Sequence, residues 1–267
     1  MIMFDASATR LRRRYRSLFL SDLHLGARGC RAAEILAFLD SVEAETIYLV
    51  GDILDVWHPG RVHWGGLQDA IWTELGNRAN TGTRVVYLPG NHDAPLREIA
   101  TGRFDRFELT DSLTHVAADG TRYLVLHGDQ VDARIFRFHV MTRIGSRLDA
   151  ALRAVDHALR GLRPSAKRGI FEWAICGVNA LMMVGNGFEK RLAAMAVTTG
   201  HDGVICGHFH KAALRQSGPI TYANCGDWVD SRTALVETFE GALQLVEWRA
   251  EVEAAPVRQG LMEEVDA

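Results

Sequence analysis

The chain has 267 residues, a formal net charge of -3, 48% hydrophobic and 24% charged residues. That is enough for one large α/β domain, or a domain with a subdomain, and its balanced charge excludes a protein built to coat nucleic acid, so no nucleic-acid partner is expected. Its four cysteines form no C-x-x-C pair, which excludes a thiolate zinc site and a disulfide scaffold, and no apolar run reaches the roughly 18 residues of a membrane span.

Residues 1–16 carry Arg10, Arg12, Arg13, Arg14 and Arg16 without the apolar stretch of a signal peptide. They read as a solvated basic segment before the first strand, or as an arm attracted to anionic lipid headgroups. Residues 17–21 read as a buried strand running into Asp22-Leu23-His24. Two residues apart on extended chain, Asp22 and His24 point to the same side. Ala32, Ile35, Leu36, Leu39 and Val42 follow helical spacing. A second strand, 46–50, ends in Gly51-Asp52-Ile53-Leu54-Asp55, which completes a βαβ unit. A helix over 67–80 and a third strand over 84–88 follow, the strand ending in Gly90-Asn91-His92-Asp93. Residues 113–117 and 122–126 read as a hairpin about Asp119-Gly120 that ends in His127-Gly128-Asp129. A helical insert is expected over 133–197, then a strand over 204–206 ending in Gly207-His208-Phe209-His210. Short strands are expected over 214–216, 220–223, 235–238 and 243–248, and 251–267 reads as a charged, poorly ordered tail. The domain proper is therefore 17–250.

The strand ends collect Asp22, His24, Asp52, Asn91, His127, His208 and His210. Hard oxygen and imidazole donors without sulfur suit Mn²⁺, with Fe or Zn²⁺ as alternatives, rather than a closed structural zinc or a calcium cage. Seven donors are too many for one open catalytic ion and match two divalent ions sharing one carboxylate, an arrangement that clamps a phosphoryl group in in-line displacement. Asp93 and Asp129 are expected to orient backbone or ligands. His115, His139, His157 and His201 read as surface or packed histidines, whereas His58 and His63 lie on a loop that could overhang a substrate.

The motifs D-x-H, G-D-x-x-D, G-N-H-D, H-G-D and G-H-x-H stand in this order between Asp22 and His210. The chain resembles the calcineurin-like metallophosphoesterase superfamily. The resemblance implies an α/β fold of two packed β-sheets flanked by helices, with the site at the strand ends and a helical insert. It further implies one metal on Asp22, His24, Asp52 and His210, and another on Asp52, Asn91, His127 and His208. His92 would serve the leaving oxygen or the transferring phosphate, and Asp55 would orient it.

Within that superfamily the chain is similar to the UDP-2,3-diacylglucosamine pyrophosphohydrolases of lipid A synthesis. The similarity rests on residues 20–25, 51–57 and the insert between H-G-D and G-H-x-H. It implies a cytoplasmic hydrolase, peripheral on the inner face of the cytoplasmic membrane, that releases UMP and a lipid phosphate. Residues 173–188 carry no charge, and Arg168 lies among the cations flanking them. They read either as a buried helix or as an apolar cap for acyl chains that also contacts the membrane surface. Trp57, His58, Arg168 and Trp228 are the candidate substrate contacts, Trp228 as a pocket wall or a turn at the sheet edge. The chain departs from that group in two places: His92 stands where its members carry Arg, and residues 222–230 have no counterpart. A soluble nucleotide or phosphomonoester as substrate, and a non-catalytic scaffold, stay open as alternatives.

Overall fold

A computed structural model of the chain describes residues 2–4, 12–56, 62–99, 102–131 and 187–249. Its strands in chain order are β1 (Ile2–Phe4), β2 (Arg13–Leu20), β3 (Val42–Val50), β4 (Arg84–Leu88), β5 (Arg103–Phe104), β6 (Phe107–Leu109), β7 (Ser112–Val116), β8 (Arg122–Leu126), β9 (Gly203–Cys206), β10 (Ala213–Ser217), β11 (Ile220–Asn224), β12 (Thr233–Glu237) and β13 (Leu243–Trp248). The described α-helices are α1 (Ala32–Ser41), α2 (Gly66–Asn80) and α3 (Phe188–Thr198). None is long and apolar enough to cross a membrane.

The strands form two mixed sheets. One has eight strands in the order β1-β13-β12-β2-β3-β4-β6-β5, the other five in the order β10-β11-β9-β8-β7. Alternation along each strand builds the layers. In the larger sheet Leu18, Leu20, Ile47, Leu49, Val85 and Tyr87 face α1 and α2. Their neighbours Phe19, Tyr48, Val50, Val86 and Leu88 face the smaller sheet, meeting Tyr123, Val125, Ile205 and Ala223. On the far side of the smaller sheet Leu124, Leu126, Val204 and Cys206 pack on Phe188, Leu192 and Ala196 of α3. Strands buried on both faces read as continuous apolar runs, because each face has its own cover.

Several boundaries differ from the sequence expectation. Strand β2 starts at Arg13, because residues 13–15 already pair with residues 42–44 of β3. Arg12 and Arg14 lie near Glu43 at 3.6 and 3.9 Å. Val42 opens β3 instead of closing α1. The guanidinium of Arg78 donates to the carbonyls of Leu39 and Val42 at 2.5 and 2.9 Å, so a side chain from α2 satisfies the end of α1. Strand β1 pairs in parallel with β13. Of the expected insert only α3 falls among the described residues; 133–186 and the tail 251–267 lie outside them.

Candidate metal centre

Parallel pairing aligns the strand exits. Leu20 pairs with Leu49 and Val50 with Leu88 in the larger sheet, and Val125 pairs with Ile205 in the smaller one. The turns after β2, β3, β4, β8 and β9 therefore emerge together, where ligands bind in α/β sheets. Backbone hydrogen bonds knit these turns: Asp22 N–H to Gly51 O at 3.0 Å, His24 N–H to Asp52 O at 2.9 Å, and Gly207 N–H to His127 O at 3.0 Å.

Asp22, His24, Asp52, His208 and His210 all have positive φ, between 47° and 74°. Left-handed backbone at non-glycine residues costs about 1–3 kcal/mol each and persists where the surroundings enforce it, typically at functional sites. Two glycines let the turns approach. A Cβ on Gly90 would strike the Asp52 carboxylate, and one on Gly207 the Ser21 hydroxyl.

Donor atoms of Asp22, His24 and His210 lie within 4.8 Å of one another, as do those of Asp52, His127 and His208. Asp22 Oδ2 accepts the Ser21 hydroxyl and, at 3.0 Å, the N–H of His208 from the other sheet. Asp22 Oδ1 lies 3.2 Å from His210 Nε2. Asp52 Oδ1 accepts the N–H of His92 at 2.7 Å, and Asp52 Oδ2 lies 3.4 Å from His127 Nε2. His127 Nδ1 sits 2.9 Å from the Val50 carbonyl. A carbonyl only accepts, so Nδ1 carries a proton and Nε2 is the atom turned to the centre, where a bound cation would take the place of its proton.

The arrangement fits divalent cations. Asp22 Oδ1, Asn91 Oδ1 and His127 Nε2 are buried without a hydrogen-bond partner, and such atoms are costly unless something binds them. The centre also favours positive charge. Burial works against an imidazolium, yet the carboxylates of Asp52 and Asp22 raise His127 to about 10, and Asp22 raises His210 to about 9. Burial, with His92 and His210 adjacent, lowers His24 to about 4. Asp52 is buried, but His127 and His92 hold it well below the usual carboxylate range.

His92 Nδ1 lies 3.1 Å from Asp55 Oδ1, and both are partly buried. Burial alone would lower this imidazole; Asp52 and Asp55 outweigh it and raise it. Asp129 is gripped by Arg97 through two contacts of 2.8 Å, and Arg97 also donates to Pro89 O at 2.7 Å. His63 is exposed, with Arg28 Nε 2.9 Å from its Nε2.

Trp228 is not a pocket wall. It is fully buried among the core residues, its ring 4.9 Å from that of Phe38 on α1. Only its backbone reaches the centre, donating N–H to Asp22 O at 3.1 Å. Trp57, His58 and Arg168 lie outside the described residues. Sequence reasoning passed over Ser21 and Asn224. A serine before the D-x-H motif is a readable signal for Ser21; a lone asparagine closing a distant strand offers none.

The family model for calcineurin-like phosphoesterase matches residues 15–212. A protein from Xanthomonas campestris pv. campestris named UDP-2,3-diacylglucosamine hydrolase is 27% identical over 245 residues, 82% of this chain and 94% of that relative. Proteins of the same name from Aromatoleum aromaticum and Pseudomonas aeruginosa are 33% and 32% identical over 116 and 120 residues. Those stretches are 42% and 44% of this chain and 46% and 49% of the relatives.

Proposed function

The chain belongs to the calcineurin-like phosphoesterase family, a metal-dependent hydrolase by that membership, and from this premise we propose that it cleaves the phosphoanhydride of a lipid-linked nucleotide such as UDP-2,3-diacylglucosamine. The products would be UMP and a lipid phosphate. The observation that carries the reading is the alignment over 94% of a relative bearing that substrate in its name. The two donor groups and their orphaned buried atoms support the chemistry.

In this reading Asp22, His24, Asp52 and His210 hold one divalent ion, and Asp52, Asn91, His127 and His208 the other, with Mn²⁺ first among the candidates. Bound divalent ions supply Lewis-acid polarisation of phosphoryl oxygens and lower the pKa of water. The chain supplies the rest. Asp52, held by the His92 N–H and 3.4 Å from His127 Nε2, would be the carboxylate shared by both ions. Asp55 fixes the His92 ring through Nδ1, which makes Nε2 the atom that gives a proton to the leaving oxygen. Asp55, hydrogen-bonded to the ring, also favours its protonated form. An acyl-chain or membrane-surface contact through residues 133–197, and a place on the inner face of the cytoplasmic membrane, belong to the same reading.

The test offers UDP-2,3-diacylglucosamine beside UDP-GlcNAc and aryl phosphodiesters, with Mn²⁺. Preferred turnover of the lipid supports the reading. Equal or faster turnover of the soluble compounds overturns its lipid part and leaves a soluble-nucleotide phosphoesterase.

A further inference from the structure

The candidate ligands come from two sheets. Asp22, Asp52 and Asn91 follow strands of the larger one; His127, His208 and His210 follow strands of the smaller. Their spacing therefore depends on what ties the two sets of turns together. The connection from β11 in the smaller sheet to β12 in the larger hydrogen-bonds to both, and it lies beyond the residues the family model matches.

Asn224 ends β11 and is fully buried. Its Nδ2 donates to Gly207 O at 2.7 Å, in the turn that presents His208 and His210, and its Oδ1 accepts the N–H of Gly226 at 2.9 Å. Cys225 N–H adds a bond to Cys206 O at 2.9 Å. Asp227, also fully buried, shapes the turn that follows. Its Oδ1 accepts the N–H groups of Val229 and Asp230 at 2.7 and 2.5 Å, and its Oδ2 accepts the Ser231 hydroxyl at 3.0 Å. That turn delivers the Trp228 N–H to Asp22 O on the other sheet, while the Trp228 indole anchors the segment in the core against Phe38. Burying an amide and a carboxylate here is costly unless their bonds are made. Both make them, chiefly to the backbone of the segment itself or of a ligand-bearing turn.

We infer that Asn224 and Asp227 are positioning residues that bracket the centre: through Gly207 O and the Trp228 N–H they hold the His208–His210 turn at a fixed distance from Asp22. The inference rests on the reading of Asp22, His208 and His210 as metal ligands. The bracket acts on cation affinity, because a ligand set split between two sheets loses affinity when one half drifts.

The test is calorimetric titration of Mn²⁺ into the metal-stripped full chain, with thermal unfolding recorded alongside. Asn224→Asp replaces the donor facing Gly207 O by an acceptor, and Asp227→Ala removes the acceptors that shape the turn. Each is expected to weaken Mn²⁺ binding about 10–100-fold, the usual effect of removing a partner that orients metal ligands. Leu75→Ala, on the buried face of α2, is expected to lower the melting temperature and leave the affinity alone. Unchanged Mn²⁺ affinity in both bracket variants overturns the inference. So does an equal loss of affinity in Leu75→Ala, and so does failure of both bracket variants to fold while Leu75→Ala folds, which would assign the segment to folding. A wild-type chain that binds no Mn²⁺ overturns the metal reading instead.

Discussion

The carboxylate of Asp93 accepts the backbone N–H of Ile53 at 2.9 Å, joining two turns whose residues are 40 apart in sequence. The same side chain takes the N–H of Gly90 and the hydroxyl of Tyr87, each at 2.5 Å. One buried carboxylate thus clamps the turn bearing Asp52 and Asp55 to the turn bearing Asn91 and His92. Asp93→Ala strands these donors in the interior and is expected to destabilise the protein by about 1–3 kcal/mol, the cost of leaving a buried polar group unpaired. Urea unfolding of the metal-free protein measures it, and an unchanged midpoint would show that the clamp carries no stability.

Asp52 lies 3.4 Å from His127 and 4.0 Å from His92, and in the proposed assignment it alone serves both ions. Asp52→Ala is expected to abolish binding at both sites, where Asn91→Ala should spare the one built on Asp22, His24 and His210. Elemental analysis of the purified variants reads the stoichiometry directly. One retained ion in Asp52→Ala would disprove the shared role.

The His92 ring is held by Asp55 through Nδ1, while its backbone N–H binds Asp52 and its donor atoms group with those of His24 and Asp55. His92→Ala is expected to keep its metals and lose roughly 10²–10⁴-fold in rate, the usual contribution of acid catalysis. Asp55→Asn should fall short of that loss and, by removing a charge that raises the imidazole, move the alkaline limb of the pH–rate profile to lower pH. Full activity in His92→Ala would remove the histidine from the mechanism.

At the opposite end of the sheets, Glu237 is fully buried. It accepts bonds from His115 at 3.0 Å, from Ser17 at 2.6 Å and from the Ala118 N–H at 2.9 Å, with Arg16 at 2.5 Å. Burial opposes its ionisation, but the bonds from His115, Ser17 and Ala118 win and lower it from 4.5 to about 2. A lowered carboxylate contributes stability that is complete above its unfolded value and lost as pH falls toward its folded one. Wild-type stability should therefore decline between about pH 4.5 and 2, and Glu237→Gln should be weaker at neutral pH and flatter across that window. Parallel pH curves for the two proteins would refute the assignment.

The candidate centre was legible because the chemistry leaves its residues at strand ends, where an apolar run stops at Gly-Asp or Gly-His. The layers were legible because Leu18, Leu20 and Phe19 belong to strands apolar on both faces. Strands β1, β5 and β6 were not, since two or three residues cannot display a period. The start of β2 was hidden because arginines at its outer end pair with Glu43 instead of packing. Trp228 misled because an indole beside polar residues looks the same in sequence whether it lines a cleft or fills the core. Its burial is decided by Phe38, on an element far away in the chain.

The supply of ligands from both sheets gives the core between them a second duty. Phe19, Tyr48, Val50, Val86 and Leu88 on one side, and Tyr123, Val125, Ile205 and Ala223 on the other, set how far apart the sheets stand. Close-packed interiors transmit a change of even one methylene group. That layer is a caliper whose jaws are the ligand-bearing turns. Under the ligand assignment proposed above, trimming or enlarging it is expected to shift the two sets of donors against each other, so hydrocarbon at a distance takes part in how tightly cations are held.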